Sequence, residues 1–227
     1  MRPVLKYKTD LIYGFIHIMA VNDYQDIVNL FVKDIMNSGL YDKCKEIQLG
    51  VLGEFDETYF SKLPKKFKVK YKSSNVLEYE FPTLNLLYQK CLLEDCKVFY
   101  IHTKGVSKVN IREKINCDMW RRYMEYFIVE KHKDCIEYLK EYNAVGCQVS
   151  TDKMPFCRNW CFVGNFWWSK SEYIKKLSPI SSLRKHNRMK AEKWVLSYKD
   201  KKVKSLFEVN RRLIDFPPEE NEYKNQV

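Results

Sequence analysis

The chain has 227 residues, 45% of them hydrophobic and 30% charged, which is enough apolar material for one sizeable core and the size of a single large domain. Forty Lys and Arg against 29 Asp and Glu give a net charge of +11, a field that gathers anionic partners such as a nucleoside diphosphate, a nucleic acid or an acidic surface. No run reaches the roughly 18 apolar residues of a membrane span, the first ten residues lack the order of a secretory signal, and the eight cysteines show no disulfide framework, so the expectation is a cytoplasmic protein with reduced thiols.

Residues 13–21 form a short apolar run rich in β-formers and closed by Asn22-Asp23, which predicts a buried first strand and a turn. Residues 24–36 carry Ile27, Leu30, Phe31 and Ile35 at helical spacing and end at Asn37-Ser38-Gly39. The unit then recurs, with strands expected at 46–52 and 67–71, a short helix at 56–62, a helix opened by Pro82, and a fourth strand at 98–101. Such alternation predicts an α/β fold, a mostly parallel sheet flanked by helices with a Rossmann-like amino-terminal half. Ligands of such sheets bind beyond the carboxyl ends of the strands, so Asn22, the turn at 73–75 and residues 102–105 are expected to share one crevice.

In the second half, residues 115–140 read as a long helical stretch with Trp120, Tyr123, Met124, Phe127 and Ile128 on one side. A strand is expected at 144–149, helices near 171–177 and 188–198, and a frayed tail from Phe216. No Gly/Ser linker divides the chain. Cys157 and Cys161 have no second pair at finger-like spacing, which argues against zinc.

The segment Val98-Phe99-Tyr100-Ile101-His102-Thr103-Lys104-Gly105 delivers polar groups from the end of an apolar strand. Glycine permits close backbone approach, lysine supplies a fixed charge for a phosphate, and histidine can ligate a metal or hydrogen-bond a leaving group. A strand end with a capping histidine and a surface lysine gives the same pattern. In Gly164-Asn165-Phe166-Trp167-Trp168, a tight turn precedes two flat apolar faces suited to sugar rings, Trp167 before Trp168, although alternate residues of a strand would point into the core. In Trp120-Arg121-Arg122, Arg121 or Arg122 could meet a phosphate or an anionic acceptor, although one arginine of such a pair is more often exposed to solvent.

His102-Thr103-Lys104-Gly105, the block Trp120-Arg121-Arg122-Tyr123-Met124-Glu125-Tyr126-Phe127 and the block from Gly164 to Ile174 together resemble a group of glycosyltransferases from bacterial polysaccharide loci and large DNA viruses of algae and protists, which is similar to the GT-A fold. The resemblance runs from Val98 to about Trp194 and is looser over the first three strands. It implies one GT-A-like domain over 1–215, with a nucleotide-binding half (1–105) and an acceptor half (106–215), followed by a flexible tail (216–227). It also implies a nucleotide-sugar donor, with UDP suggested by what Asn can offer a uracil edge, and a glycan or glycoprotein acceptor.

Carried onto this chain, the resemblance puts donor contacts at Asn22, Asp23, Thr83, His102, Thr103, Lys104 and Gly105, though Thr83 could equally be a plain helix cap. It puts sugar or acceptor contacts at Gly164, Asn165, Trp167, Trp168 and Arg121, and the late acidic position at Glu192, where an inverting transfer would need a base. GT-A enzymes commonly end the corresponding strand in Asp-x-Asp, which holds a divalent cation on the diphosphate; here His102-Thr103-Lys104 stands in its place. Either His102 supports Mn²⁺ or Mg²⁺, or Lys104 neutralises the phosphates directly. Two other classes compete. A nucleic-acid-binding module would suit the charge and the aromatic content, yet the aromatics lie in apolar periodic segments and no known module signature is present. A glycosyltransferase fold retained for binding alone would suit the missing acids. No dinucleotide fingerprint, phosphate loop or nucleophile elbow occurs.

Overall fold

The computed structural model of the chain describes residues 10–151, 160–183 and 187–225. The first half alternates as expected: β1 (Ile12–Ala20), α1 (Tyr24–Asn37), α2 (Leu40–Lys43), β2 (Cys44–Gly53), α3 (Glu57–Ser61), β3 (Phe67–Ser73), α4 (Phe81–Leu93) and β4 (Lys97–His102). The second half contains α5 (Ile111–Glu125), a π turn (Tyr126–Glu130), α6 (His132–Tyr138), β5 (Ala144–Gly146), β6 (Val149–Ser150), β7 (Cys161–Phe162), β8 (Trp167–Lys170), α7 (Ser171–Ile174), α8 (Met189–Trp194), β9 (Val203–Ser205) and α9 (Glu220–Lys224).

The strands build a mixed, mostly parallel sheet of seven strands in the order β3-β2-β1-β4-β8-β5-β9, with β6 and β7 pairing apart. Strands β1 to β4 are parallel, whereas β8 runs antiparallel to both β4 and β5. Side chains alternate across the strands, and each face of the sheet carries its own core. Ile16, Ile18, Phe99, Ile101 and Trp168 pack with Phe31 of α1 and with Tyr123 and Ile128. Phe15, Tyr100 and Trp167 pack on the other face with Leu84 and Leu87 of α4, Tyr173 of α7 and Trp194 of α8.

Strand β8 shows how one dipeptide serves both layers. Trp167 and Trp168 are consecutive and therefore point to opposite faces; both are fully buried. Trp167 stacks on Tyr100 with ring centroids 5.4 Å apart, and Trp168 meets Phe99 at 5.1 Å. The Trp168 indole donates to the carbonyl of Ile128 in the π turn at 2.8 Å, so its one polar group is satisfied in the core.

Several expectations from sequence are revised. The long helical stretch is interrupted by the π turn, the strand at 144–149 is two short strands, and β9 carried no recognisable pattern. Cys157 lies outside the described residues, and no disulfide joins the described cysteines. The tail is not frayed over its described length. Its helix α9 has a capping box at Glu219 and Glu222, Glu222 pairs with Arg211 at 2.6 Å, and Tyr223 is 2% exposed against Tyr123, Tyr126 and Phe127. No helix among the described residues is long and apolar enough to cross a membrane. Truncating a buried aromatic removes its transfer free energy and leaves a void. Tyr223→Ala is therefore expected to lower the unfolding free energy by about 3 kcal/mol, while Lys224→Ala stays within about 0.5 kcal/mol; urea denaturation of the two variants measures the contrast.

Candidate functional site

A crevice opens in a parallel sheet where neighbouring crossovers depart in opposite directions. Here β2 and β3 lie on one side of β1, and β4 lies on the other, so the switch falls between β1 and β4. His17 and His102 are register partners across that boundary. Both sit on the α4 face, in step with Phe15 and Tyr100. His17 is 3% exposed and shares a hydrogen bond between Nδ1 and the Thr83 hydroxyl at 3.0 Å. Gly50, beside His17 on β2, makes this contact possible, because a Cβ there would stand 2.1 Å from Thr83 Oγ1. Thr83 is thus a fully buried partner of His17 and not a donor contact, which corrects its expected role.

The loop after β4 is fastened at each residue. Thr103, 4% exposed, accepts from the Met19 amide at 2.9 Å and gives its own amide to the His17 carbonyl, so its hydroxyl extends the β1–β4 pairing and is not available to a ligand. The Lys104 carbonyl accepts from Arg121 at 3.0 Å, while its ammonium lies 3.7 Å from the centre of the Trp120 ring. Gly105 has φ +84, and a Cβ would come 2.4 Å from that of Cys117; the glycine serves approach to α5 rather than to a phosphate. Asn22, at φ 51, donates to the Val106 carbonyl at 2.8 Å and closes the loop against β1. Arg121 is 2% exposed and committed to Asp118 at 2.8 Å, Glu125 at 3.4 Å and the Lys104 carbonyl, so it is not an acceptor-binding side chain. Arg122 bonds Asp34 and Glu125, tying α5 to α1.

Across the crevice, the turn before β8 has two consecutive positive φ values, Gly164 at 102 and Asn165 at 60. A Cβ on Gly164 would meet Met124 Sδ at 2.4 Å, which presses this turn onto α5. The Gly164 carbonyl accepts from His102 Nε2 at 2.9 Å. Asn165, 1% exposed, accepts from the Trp167 indole at 2.8 Å and donates to Glu80 at 2.5 Å. Glu80 also accepts from the Tyr100 hydroxyl at 2.7 Å. The expected sugar contacts of Asn165, Trp167 and Trp168 are therefore interior: the amide is spent on its neighbours, and both indoles are core. Glu80 was not foreseen. Its signal was faint, an acid directly ahead of the Phe81-Pro82 helix start, at a strand-edge helix amino terminus.

Glu192 comes from far along the chain and reaches the same place. Trp194, buried against Tyr88 at a centroid distance of 6.1 Å and donating to the Ser178 carbonyl at 2.9 Å, seats α8 on the α4 face. The Glu192 carboxylate keeps 23% side-chain exposure, lies 3.7 Å from Arg188, and acts electrostatically on Tyr100, His102 and Lys104. Asp23 pairs with Lys114 at 2.8 Å, which holds its carboxyl below the usual range. With Asn22, Lys108, Ile111 and Asp118 it lines a cleft of about 520 Å³ beside the loop.

Burial sets the electrostatics. It pushes His17 down to about 4 and, with Lys104 beside it, lowers His102 as well. Burial also lowers Lys104, with Glu192 opposing. With neutral His102 donating through Nε2, Nδ1 carries a lone pair, suited to a hydroxyl or a cation but not to a phosphate oxygen. Among the described residues no three His, Cys, Asp or Glu side chains gather to hold a metal ion. The residues thus do not form a ready-made cation site of the Asp-x-Asp kind.

Together these features define a mixed α/β domain with a cluster of polar side chains at the switch point of its sheet. The chain belongs to the family described as Domain of unknown function (DUF8361), whose model matches residues 49–212. That span includes Glu80, His102, Lys104, Gly164 and Glu192, and leaves out His17, Asn22 and Asp23. No curated protein matches the chain. Among solved structures it is similar to the crystal structure of 4-diphosphocytidyl-2C-methyl-D-erythritol synthase from Anaerococcus prevotii, with 10% identity, coverage of 92% of this chain and 97% of that chain, and a TM-score of 0.44.

The histidine environment fixes a pH dependence. An unfolded chain protonates His17 below about pH 6.5, whereas the folded one resists until about 4. This contribution to stability is therefore present above pH 6.5 and lost as the pH falls toward 4. Urea denaturation is expected to show a decline of about 3 kcal/mol over that window from His17, and His102, lowered by burial as well, acts in the same direction. His17→Gln is expected to flatten the profile.

Proposed function

We propose that the chain is a nucleotide-sugar-dependent glycosyltransferase of GT-A-like architecture, with its donor diphosphate seated over the carboxyl ends of β1 and β4. The observation that carries this reading is convergence at one switch point: His102 ends β4, Lys104 follows it in the next loop, and Glu192, some ninety positions later, acts electrostatically on both. The resemblance of the His102 to Gly105, Trp120 to Phe127 and Gly164 to Ile174 blocks to glycosyltransferases supports the same reading. The aromatic content that suggested a nucleic-acid module is largely interior, which favours the enzyme.

In this reading the acceptor hydroxyl attacks the anomeric carbon, the bond between that carbon and the diphosphate breaks, and the hydroxyl proton passes to Glu192. Lys104 swings from Trp120 to meet the negative charge growing on the departing phosphates. The partly desolvated ammonium acts strongly there, because little water competes for it. A cation carried on the donor's own phosphates would find one protein ligand here, His102 Nδ1. UDP is the proposed carrier, read by Asn22 and Asp23 beside their cleft, and the acceptor is a glycan or glycoprotein.

Two measurements test this. A thermal-shift panel of UDP-, GDP-, dTDP- and CMP-sugars, with and without Mn²⁺, is expected to single out one carrier, raising the melting temperature by about 5–10 °C at a hundredfold excess over Kd. Glu192→Gln is expected to lower transfer at least about 100-fold while keeping the donor-induced shift. Near-normal turnover of that variant would remove Glu192 from the reaction, and binding without donor hydrolysis by the wild-type protein would mark a non-catalytic domain.

A further inference from the structure

We propose that Glu80 reads a hydroxyl group of the donor sugar, with one carboxylate oxygen fastened by the protein and the other offered to the ligand. The inference rests on the glycosyltransferase reading and extends it to a residue that determines sugar specificity. Glu80 Oε2 accepts from both the Tyr100 hydroxyl at 2.7 Å and the Asn165 amide at 2.5 Å. Oε1 has no hydrogen-bond partner in the protein among the described residues.

Each fastener is itself fixed. Asn165 is oriented by the Trp167 indole at 2.8 Å, so its amide nitrogen and not its oxygen must face Glu80. Tyr100 is fully buried and stacks on Trp167. The backbone takes part too, since Tyr79, the residue before Glu80, adopts φ 51 and ψ −144, a conformation that side chains rarely accept. Four residues from three separate segments of the chain therefore hold one partly exposed carboxylate in a single pose.

A neutral acceptor would satisfy Tyr100 and Asn165 equally well, so their bonding does not account for a charge at this position. That charge is felt in the crevice, where it acts on Lys104 and His17. A preordered carboxylate oxygen beside the proposed diphosphate seat is a strong acceptor for a sugar hydroxyl and spends little side-chain entropy on binding. It also discriminates, because a sugar lacking that hydroxyl, or presenting it in the other configuration, leaves the oxygen dry and unpaired.

The test compares bare UDP with UDP-sugars in thermal shift, and natural with deoxy and deoxyfluoro sugar donors in hydrolysis, for wild type, Glu80→Gln and Tyr100→Phe. In the wild type the accepted UDP-sugar should stabilise more than UDP, and loss of the read hydroxyl should lower kcat/KM by roughly 10- to 100-fold. Glu80→Gln should keep the UDP shift, lose the extra increment due to the sugar, and no longer distinguish the deoxy donor. Tyr100→Phe, which keeps the charge and releases the carboxylate from one donor, should lose part of that discrimination, and it decides the matter if Glu80→Gln does not fold. A full sugar increment with unchanged ranking of donors in these variants overturns the role of Glu80 and leaves the glycosyltransferase reading standing. A wild-type protein that responds to no nucleotide overturns both.

Discussion

Everything at the candidate site depends on the position of β4 between a parallel neighbour and an antiparallel one. Its pairing with β1 brings His102 level with His17 and makes the switch point. Its pairing with β8 ends at Tyr100 and Trp167, so the chain entering β8 must turn just beyond the carboxyl end of β4. That turn supplies the Gly164 carbonyl and the Asn165 amide to the crevice. A purely parallel sheet would have placed a strand's amino-terminal loop at the opposite edge; the reversal is what lets the second half of the chain contribute to the first half's site.

The packing around this arrangement is divided by face, but the site is not. Glu80 and Thr83 come with α4, Glu192 with α8, and the loop after β4 at Gly105 and the turn before β8 at Gly164 both press onto α5 on the opposite layer. On that side Asp34, Arg122, Glu125, Arg121 and Asp118 form a connected set around the buried Arg121 and Glu125, and burial pushes the fully enclosed Glu125 up to about 8. Removing one member of such a set leaves its partners uncompensated in the interior. Its functional weight lies in Arg121, which carries the set to the carbonyl of Lys104.

Much of the first half was legible because local signals and global topology agree there: apolar β-rich runs, helical spacing and turn residues specify strands and helices in alternation, and alternation specifies a parallel edge. The grouping of Asn22 and residues 102–105 on that edge followed directly, whereas the turn at 73–75, expected with them, ends β3 two strands away from β1, where Ser73 bonds Glu78 and Asn75 accepts from the Leu77 amide. Side-chain direction was harder to read. Trp167 and Trp168 have a composition that suits stacking on a sugar, and only the unforeseen antiparallel pairing of β8 with two neighbours turns both into core. The glycines misled for a related reason, since Gly105 and Gly164 do relieve close approaches, but the approaching group is α5. Glu80 escaped notice because its meaning comes from Tyr100 and Asn165, 20 and 85 positions away. Beyond residue 143 the strands are two to four residues long, too short for periodicity to register.

The way Lys104 is held separates its backbone from its charge. Arg121 grips the carbonyl, Thr103 is stitched to Met19, and Gly105 is wedged on Cys117, while the ammonium merely rests on an indole face. Moving that positive charge thus calls only for rotations about a four-carbon stem. The strand end itself can stay still, and the charge can follow whatever anion arrives without any rearrangement of the fold.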